Sequence, residues 1–515
     1  MFQIEDCRII YKKDLRVLAD GFSLTVHPGD KIALIGEEGN GKSTLLKWMY
    51  DPALVEDYAE VHGKRLAGRE RLGYLPQELS AEDKEKPVYA YMTEERLFTE
   101  MNPAEIAELG RKCGLDPEVF YDERRLGSFS GGEKIKIETA RILASMPTVF
   151  LLDEPSNDLD IATLEWMEKL IRDTKAGVVY ISHDEVLLEN TANRIVHMEL
   201  FKRKTESRIT VMNVSYAEYV KRREDLFDRQ MMMARSDRRE EKIRMEKFRR
   251  IQQKVEHDLR SVSRQDPHGG FLLKKKMRSV KSMEKRFERE RENITDVPEK
   301  EEAILFHFEN SQPVPEGKTV LDFRLDELRT PGEERVLAKN IELFVRGPRK
   351  VCIIGKNGSG KTTLLKKIRE ELKDRKDLRA AYMPQNYEDL LEMEETPVEY
   401  LAPERTTEKI TKVRKCLGAM KYTTDEMDHA IRELSGGQKA KVFLLKMVLD
   451  EADVLLLDEP TRNFSPLSAP VIREVLKEFP GAIIAVSHDR RFLAEVPDQI
   501  YELTKEGLKK KEGAL

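Results

Sequence analysis

Lys31-Ile-Ala-Leu-Ile-Gly36-Glu-Glu-Gly39-Asn-Gly41-Lys42-Ser43-Thr44 sets a short apolar run against a glycine-rich loop that ends in a lysine and hydroxyls. The arrangement returns at Lys350-Val-Cys-Ile-Ile-Gly355-Lys-Asn-Gly358-Ser-Gly360-Lys361-Thr362-Thr363, offset by 319 residues. Each apolar run reads as a buried strand, and the residues after each loop read as a helix. Glycines let the backbone curl until its N–H groups face one point, which is how a loop cradles phosphate. Lys42 and Lys361 then place a cation on the terminal phosphates, and Ser43 or Thr362 offers a hydroxyl to Mg²⁺.

Other landmarks recur in the same order. Gln77 follows Tyr-Leu-Pro and Gln385 follows Tyr-Met-Pro. Ser130-Gly-Gly132-Glu133 and Ser435-Gly-Gly437-Gln438 each open a basic helical run, where exposed N–H donors and a positive dipole end make a second anion site. Asp153-Glu154 and Asp458-Glu459 end apolar runs. The aspartates suit Mg²⁺, and the glutamates suit a base that polarises water attacking the γ-phosphate. His183 and His488 follow short apolar runs and read as γ-phosphate contacts; Gln77 and Gln385 could meet the metal or the water. Ser130 to Asp153 and Ser435 to Asp458 both span 23 residues; Glu154 to His183 and Glu459 to His488 both span 29. Two copies of one α/β domain are therefore expected, over residues 1–207 and 301–515. Val149–Leu152, Val178–Ile181, Val454–Leu457 and Ile483–Val486 are expected as parallel strands, Ile161–Thr174 and Lys439–Leu449 as helices.

Residues 208–300 differ in kind. From Ser215 to Arg291 the only breakers are Pro267, Gly269 and Gly270. The pattern predicts two antiparallel helices, about Tyr216–Arg260 and Phe271–Arg291, joined by a turn at Ser261–Gly270. The first arm would extend ~65 Å at 1.5 Å per residue. Residues 221–290 hold 23 Lys/Arg against 13 Asp/Glu, whereas the whole chain carries a net −5. A hairpin of about +10 on a body of about −15 would turn its arm toward a polyanion. Arg264, Gln265, His268, Phe271, Leu272, Leu273 and Lys274 surround the turn.

No run of the 515 residues approaches the ~18 apolar residues a spanning helix needs. The first residues have no basic segment followed by an apolar one, which argues against a secretory signal. Cys7, Cys113, Cys352 and Cys416 lie far apart, which argues against a zinc ribbon or disulfide framework and fits a reducing cytosol.

The order of phosphate loop, Gln loop, SGG[EQ] signature, carboxylate pair and histidine resembles the ATP-binding-cassette ATPases, across both copies. The resemblance implies ATP and Mg²⁺ as cofactors and a head-to-tail sandwich within one monomer. Lys42 would then face Ser435 and Gly437, and Lys361 would face Ser130 and Gly132. It also implies that Gly36, Gly39, Gly41, Ser43, Thr44, Gly355, Gly358, Gly360, Thr362 and Thr363 contact phosphate or metal, and that Tyr11 stacks on adenine. Leu328–Arg335 offers no aromatic equivalent in the second copy.

Paired cassettes with a basic hairpin between them are similar to the ABC-F subfamily. Its members bind the ribosome in the cytoplasm, with the linker beside tRNA near the peptidyl-transferase centre. The implied partners are large-subunit rRNA and tRNA, with no membrane and no metal besides Mg²⁺. Gln77 to Ser130 (53 residues) nearly equals Gln385 to Ser435 (50), so the first cassette has no large arm insertion of the translation-factor kind. Ser465 stands where Asp160 stands in the first copy, which puts equal hydrolysis at the two sites in doubt. These features resemble the members that protect ribosomes from lincosamides, streptogramin A and pleuromutilins. A housekeeping translation factor is the alternative; a transporter ATPase subunit or a DNA-handling ATPase stands behind it.

Overall fold

The computed structural model describes residues 1–157, 159–201, 206–261, 267–291, 313–330, 332 and 335–511, with backbone alone at 259, 267–270, 273, 284 and 288–291. These fall into two units, Met1–Tyr216 with Glu301–Leu515, and Ala217–Lys300.

In the first cassette a six-stranded sheet runs in the order Leu72–Leu75, Val149–Asp153, Gly177–Ile181, Lys31–Ile35, Arg194–Phe201, Glu206–Met212. All neighbours are parallel except the last pair. Val149–Asp153, Gly177–Ile181 and Lys31–Ile35 are buried along their whole length, as expected of parallel strands covered on both faces. Helix Lys42–Tyr50 begins beyond the carboxyl end of Lys31–Ile35, where ligands bind in open α/β folds, and helix Gly131–Ala144 leads into Val149–Asp153. Antiparallel strands Val17–Val26, Phe2–Tyr11 and Ala59–Leu66 form a second sheet. The strand Glu206–Met212 straddles the expected boundary at 207 and carries the first cassette's sheet to Met212.

The second cassette repeats this with Ala380–Met383, Val454–Asp458, Ala482–Val486, Lys350–Ile354, Gln499–Thr504 and Gly507–Lys511. Its antiparallel sheet has two described strands, Thr319–Arg329 and Val336–Arg346. The counterpart of Ala59–Leu66 is missing because residues 374–379 alone connect helix Lys361–Lys373 to the next strand.

Ionic contacts tie the cassettes together. Arg473, 3% exposed, places its guanidinium 2.5 and 3.2 Å from the two oxygens of Glu185. Arg490 pairs with Glu168 at 2.9 Å and with Asp184 at 3.1 Å, and Arg491 pairs with Glu189. Every arginine here belongs to the second cassette and every acid to the first. Removing one partner of a buried pair strands the other, so these contacts hold register even where their net stabilisation is small.

The second unit is a helical hairpin of Tyr216–Ser261 and Pro267–Arg291. Pro267–Gly270 are helical, which corrects the expected turn at Ser261–Gly270. Proline at the first helical position loses no hydrogen bond, and its fixed φ suits the helix start. Phe248, Val255 and Val280 pack together with Met277, Met283 and Phe287, and the rings of Phe248 and Phe287 meet edge to face at 5.7 Å. Phe271 and Leu272 are 66% and 47% exposed, and Lys274 is exposed. Arg264 and Gln265 lie outside the described residues, as do the side chains of His268 and Leu273.

Glu138, on helix Gly131–Ala144, is 5% exposed, and burial, with Asp83 adding, pushes its carboxyl up to about 8. A carboxyl raised on folding stabilises the folded state below its unfolded value, near ~4.3, and loses that contribution as pH rises through the folded value. Wild-type thermal stability is therefore expected to fall between pH 6 and pH 9 by more than that of Glu138→Gln. Parallel melting curves across this range would show that Glu138 does not carry the loss.

Candidate nucleotide site

Gly36 and Gly355 adopt φ of +139° and +153°, a region closed to other residues, and a Cβ on Gly36 would strike the carbonyl of Met198. The loops can form only with glycine there. In both, the lysine folds back over its own loop. Lys42 Nζ donates to the carbonyls of Gly36 and Glu37 at 2.8 Å each, and Lys361 Nζ to those of Gly355 and Lys356 at 2.9 and 3.0 Å. Both lysines are buried, so each is a cation held ready beside a curl of N–H donors.

Ser43 Oγ donates to Asp153 at 2.8 Å, and Tyr74 reaches the other oxygen at 3.4 Å. Burial raises the Asp153 carboxyl to about 6. In the second copy burial raises the Asp458 carboxyl, with the Thr362 hydroxyl opposing. A hydroxyl and a carboxylate are hard oxygen donors, and Mg²⁺ uses few protein ligands because it keeps water and phosphate oxygens. The pairs Ser43–Asp153 and Thr362–Asp458 therefore fit that ion. Among the described residues no group of three or more His, Cys, Asp and Glu offers an alternative metal centre.

Glu154 and Glu459 both leave their strands at φ +51°, an uncommon left-handed corner for a side chain to occupy. Their surroundings differ. Glu154 accepts from Gln77 at 3.0 Å and from Asn157, and lies 3.3 Å from His183 Nε2. Burial alone would raise it, but His183 and Lys42 outweigh burial and bring it to about 2; Glu154 in turn raises His183. Glu459 accepts from the His488 backbone N–H at 3.2 Å, and burial, then Asp458, pushes its carboxyl to about 8. Burial and Lys361 lower His488 to about 4, and neither ring nitrogen has a partner among the described residues. The members of the first pair thus favour each other's charged forms, and in the second burial pushes each group toward its neutral form.

The signature serines cap their own helices. Ser130 Oγ accepts from the N–H of Glu133 at 3.4 Å, and Ser435 Oγ from that of Gln438 at 3.3 Å, each within a capping box. A Cβ on Gly132 would lie 2.9 Å from Thr163 Oγ1, and one on Gly437 would lie 2.7 Å from the carbonyl of Asn463. At Gly437 the obstacle is backbone and only glycine fits, whereas at Gly132 a side chain would have to move.

The cassettes meet head to tail. Glu38 of the first phosphate loop accepts from the N–H of Gly437 at 2.7 Å, and Glu37 lies 3.2 Å from Lys441 Nζ. The carbonyl of Phe464 lies 2.7 Å from His183 Nδ1, so the second cassette's loop 461–465 reaches the first site. Around Lys361 lies a cavity of about 510 Å³. Thr362, Thr363, Gln385 and His488 line it from the second cassette, Gly131 and Ser156 from the first. Gly131 stands between the expected Ser130 and Gly132.

Tyr11 packs edge-on against Tyr58, with ring centroids 6.3 Å apart. Its counterpart at the same 319-residue offset is Thr330, which lines the Lys361 cavity beside Leu337. Glu37, Glu38, Thr330 and the interface arginines are absent from the sequence-derived site. The offset alone could have exposed the first three, since it sets Glu37-Glu38 against Lys356-Asn357 and Tyr11 against Thr330.

The ABC transporter family model matches residues 19–157 and 338–462. The chain is 25% identical to Probable ATP-binding protein YheS of Escherichia coli K12, over 95% of this chain and 77% of that protein. It is 28% identical to Ribosome protection protein VmlR of Bacillus subtilis, over 94% of this chain and 84% of that protein. Its fold is similar to an archaeal ribosome recycling factor, aABCE1, solved with the stalk protein aP1. There the TM-score is 0.58 at 18% identity, covering 99% of this chain and 91% of that one.

Proposed function

Two matches that together span more than half of the chain make it a member of the ABC transporter family, an ATPase with two cassettes, and on that premise we propose that it is an ABC-F-type protein acting on the ribosome. The observation that carries this reading is the meeting of the first phosphate loop with the second signature helix, in a chain that also carries a basic helical hairpin. Such a chain closes both nucleotide sites by itself. No described helix is long and apolar enough to cross a membrane. The charged hairpin offers the phosphate backbone of RNA a partner.

In this reading Lys42 and Lys361 swing from loop carbonyls to the terminal phosphates of ATP. Gly36, Gly39 and Gly41, with Gly355, Gly358 and Gly360, present N–H donors. Thr44 and Thr363 add hydroxyls, and Ser130, Gly132, Ser435 and Gly437 close the sites from the opposite cassette. Tyr11 faces the base in the first site. Ser43, Asp153 and Gln77, and Thr362, Asp458 and Gln385, hold Mg²⁺, which when bound neutralises charge on the β- and γ-phosphates. Glu154 and Glu459 orient and polarise the attacking water, and His183 and His488 contact the γ-phosphate. Binding favours the closed cassettes by differential affinity, and loss of the γ-phosphate contacts releases them. The partners are large-subunit rRNA and tRNA in the cytosol, approached by Arg264, Gln265, His268, Phe271, Leu272, Leu273 and Lys274. The ribosome protection protein among the relatives, and the short Gln77–Ser130 segment, favour protection from drugs of the peptidyl-transferase centre.

Glu154→Gln with Glu459→Gln should bind ATP and remain with 70S ribosomes through a sucrose gradient. Release as ready as that of wild type would contradict the cycle. In a drug-sensitive bacterial host, the wild-type chain should raise the inhibitory concentration of lincosamides, streptogramin A or pleuromutilins. Replacing 264–274 with Gly/Ser should abolish that rise while ATPase activity persists. Protection that survives the replacement rejects a role for the tip, and no protection by wild type favours a general translation factor.

A further inference from the structure

The two sites are built from the same motifs, yet the chain treats them differently. In the first, Glu38 lies over the first turn of helix Gly436–Leu449. Its carboxylate accepts from Gly437 N–H at 2.7 Å, and a Cβ on Gly436 would stand 3.1 Å from it. A carboxylate at a helix N-terminus is stabilised by the bare N–H groups and the dipole, as a phosphate there would be. The next residue back strengthens the contact. Glu37 pairs with Lys441, which is 7% exposed, at 3.2 Å, and Ser468, 1% exposed, donates to it at 3.4 Å. One loop thus sends two anions into the opposite cassette, onto a helix N-terminus and a buried cation.

The second loop carries no such pair of anions. The residues equivalent to Glu37-Glu38 are Lys356-Asn357, so that loop carries a cation where the first carries two anions. The equivalent of Lys441 is Lys136, whose ammonium lies 5.6 Å from the centre of the Trp166 ring. Between this loop and Gly131 lies the cavity of about 510 Å³.

We propose that Glu38, seconded by Glu37, is a built-in competitor for the terminal phosphate at the first site, through its hold on the signature helix. ATP must displace it there, whereas the loop before Lys361 carries a cation and an amide in place of the two carboxylates. The two sites therefore load unequally, the Lys361 site first. This rests on the reading of both loops as ATP sites, and it adds an affinity-determining residue that the family pattern of glycines, lysine and hydroxyl does not contain.

The test titrates a non-hydrolysable ATP analogue with Mg²⁺ into the full-length chain. Wild type should fill in two separated steps, with the tighter step lost in Lys361→Ala. In that background only the first site remains, and Glu38→Asn, which installs the residue of the second loop, should tighten binding by roughly tenfold or more, the scale of one charge-assisted hydrogen bond. The converse change, Asn357→Glu in a Lys42→Ala background, should weaken the second site. Glu38→Asn that leaves the first site unchanged or weaker overturns the proposal while leaving the ATP sites standing. Absence of binding by wild type itself would instead remove the nucleotide reading, and this proposal with it.

Discussion

Backbone N–H groups at the start of a helix must find an acceptor, and four helices of this chain begin where acceptors are scarce. Those starting at Lys42 and Lys361 follow Gly41 and Gly360, which carry no side chain able to cap them, and those starting at Gly131 and Gly436 have a single serine each, Ser130 or Ser435, at the cap. The buried parallel strands behind the two phosphate loops fix where those loops emerge, so the donors cannot drift toward water-exposed partners. Ser130 and Ser435 meet the need locally by accepting from their own helices, while the two lysines, donors themselves, turn onto loop carbonyls. At Gly437 a carboxylate from the other cassette does it. A phosphate-bearing ligand competes with these internal partners, and nucleotide affinity at each site is set by what must be displaced.

The same asymmetry extends to the chemistry. Glu154 and His183 hold each other toward the charged forms, whereas burial pushes Glu459 and His488 toward the neutral ones. Loop 461–465 contributes to the difference. Asp160 caps the helix Ile161–Asp173 through the N–H of Thr163 at 3.0 Å. Ser465 stands in its place, 3% exposed, and bonds to Ser468 instead. Its neighbour Phe464 lends a carbonyl to His183. Two copies of one domain have thus diverged at the points where each touches the other's site, while the central strands that frame the sites stay alike.

Much of this was legible in the residues because buried parallel strands and glycine loops leave strong local signatures. Val149–Asp153 and Val454–Asp458 are apolar to their final aspartate, and helix Ile161–Asp173 follows its sequence period closely. The hairpin arms were readable from the want of breakers, but Pro267 was misread as part of a turn because the glycines after it suggested one. The face-to-face contacts were not legible. Nothing in the local pattern around Arg473 or Arg490 says that Glu185 or Asp184, some three hundred residues earlier in sequence, will be their partners. Such pairings depend on how two finished domains dock. The acidic pair at 37 and 38 was visible all along, but its meaning needed the opposing helix.

The central claim is that each phosphate loop works against the signature of the other cassette. Vanadate trapped with ADP and Mg²⁺ occupies the place of the γ-phosphate, and ultraviolet light then cleaves the backbone at residues touching it. The account predicts cleavage of the intact chain in two places for one trapped vanadate, within 355–362 and beside Ser130. Cleavage confined to the phosphate loops, with the 130–132 segment intact, would contradict it.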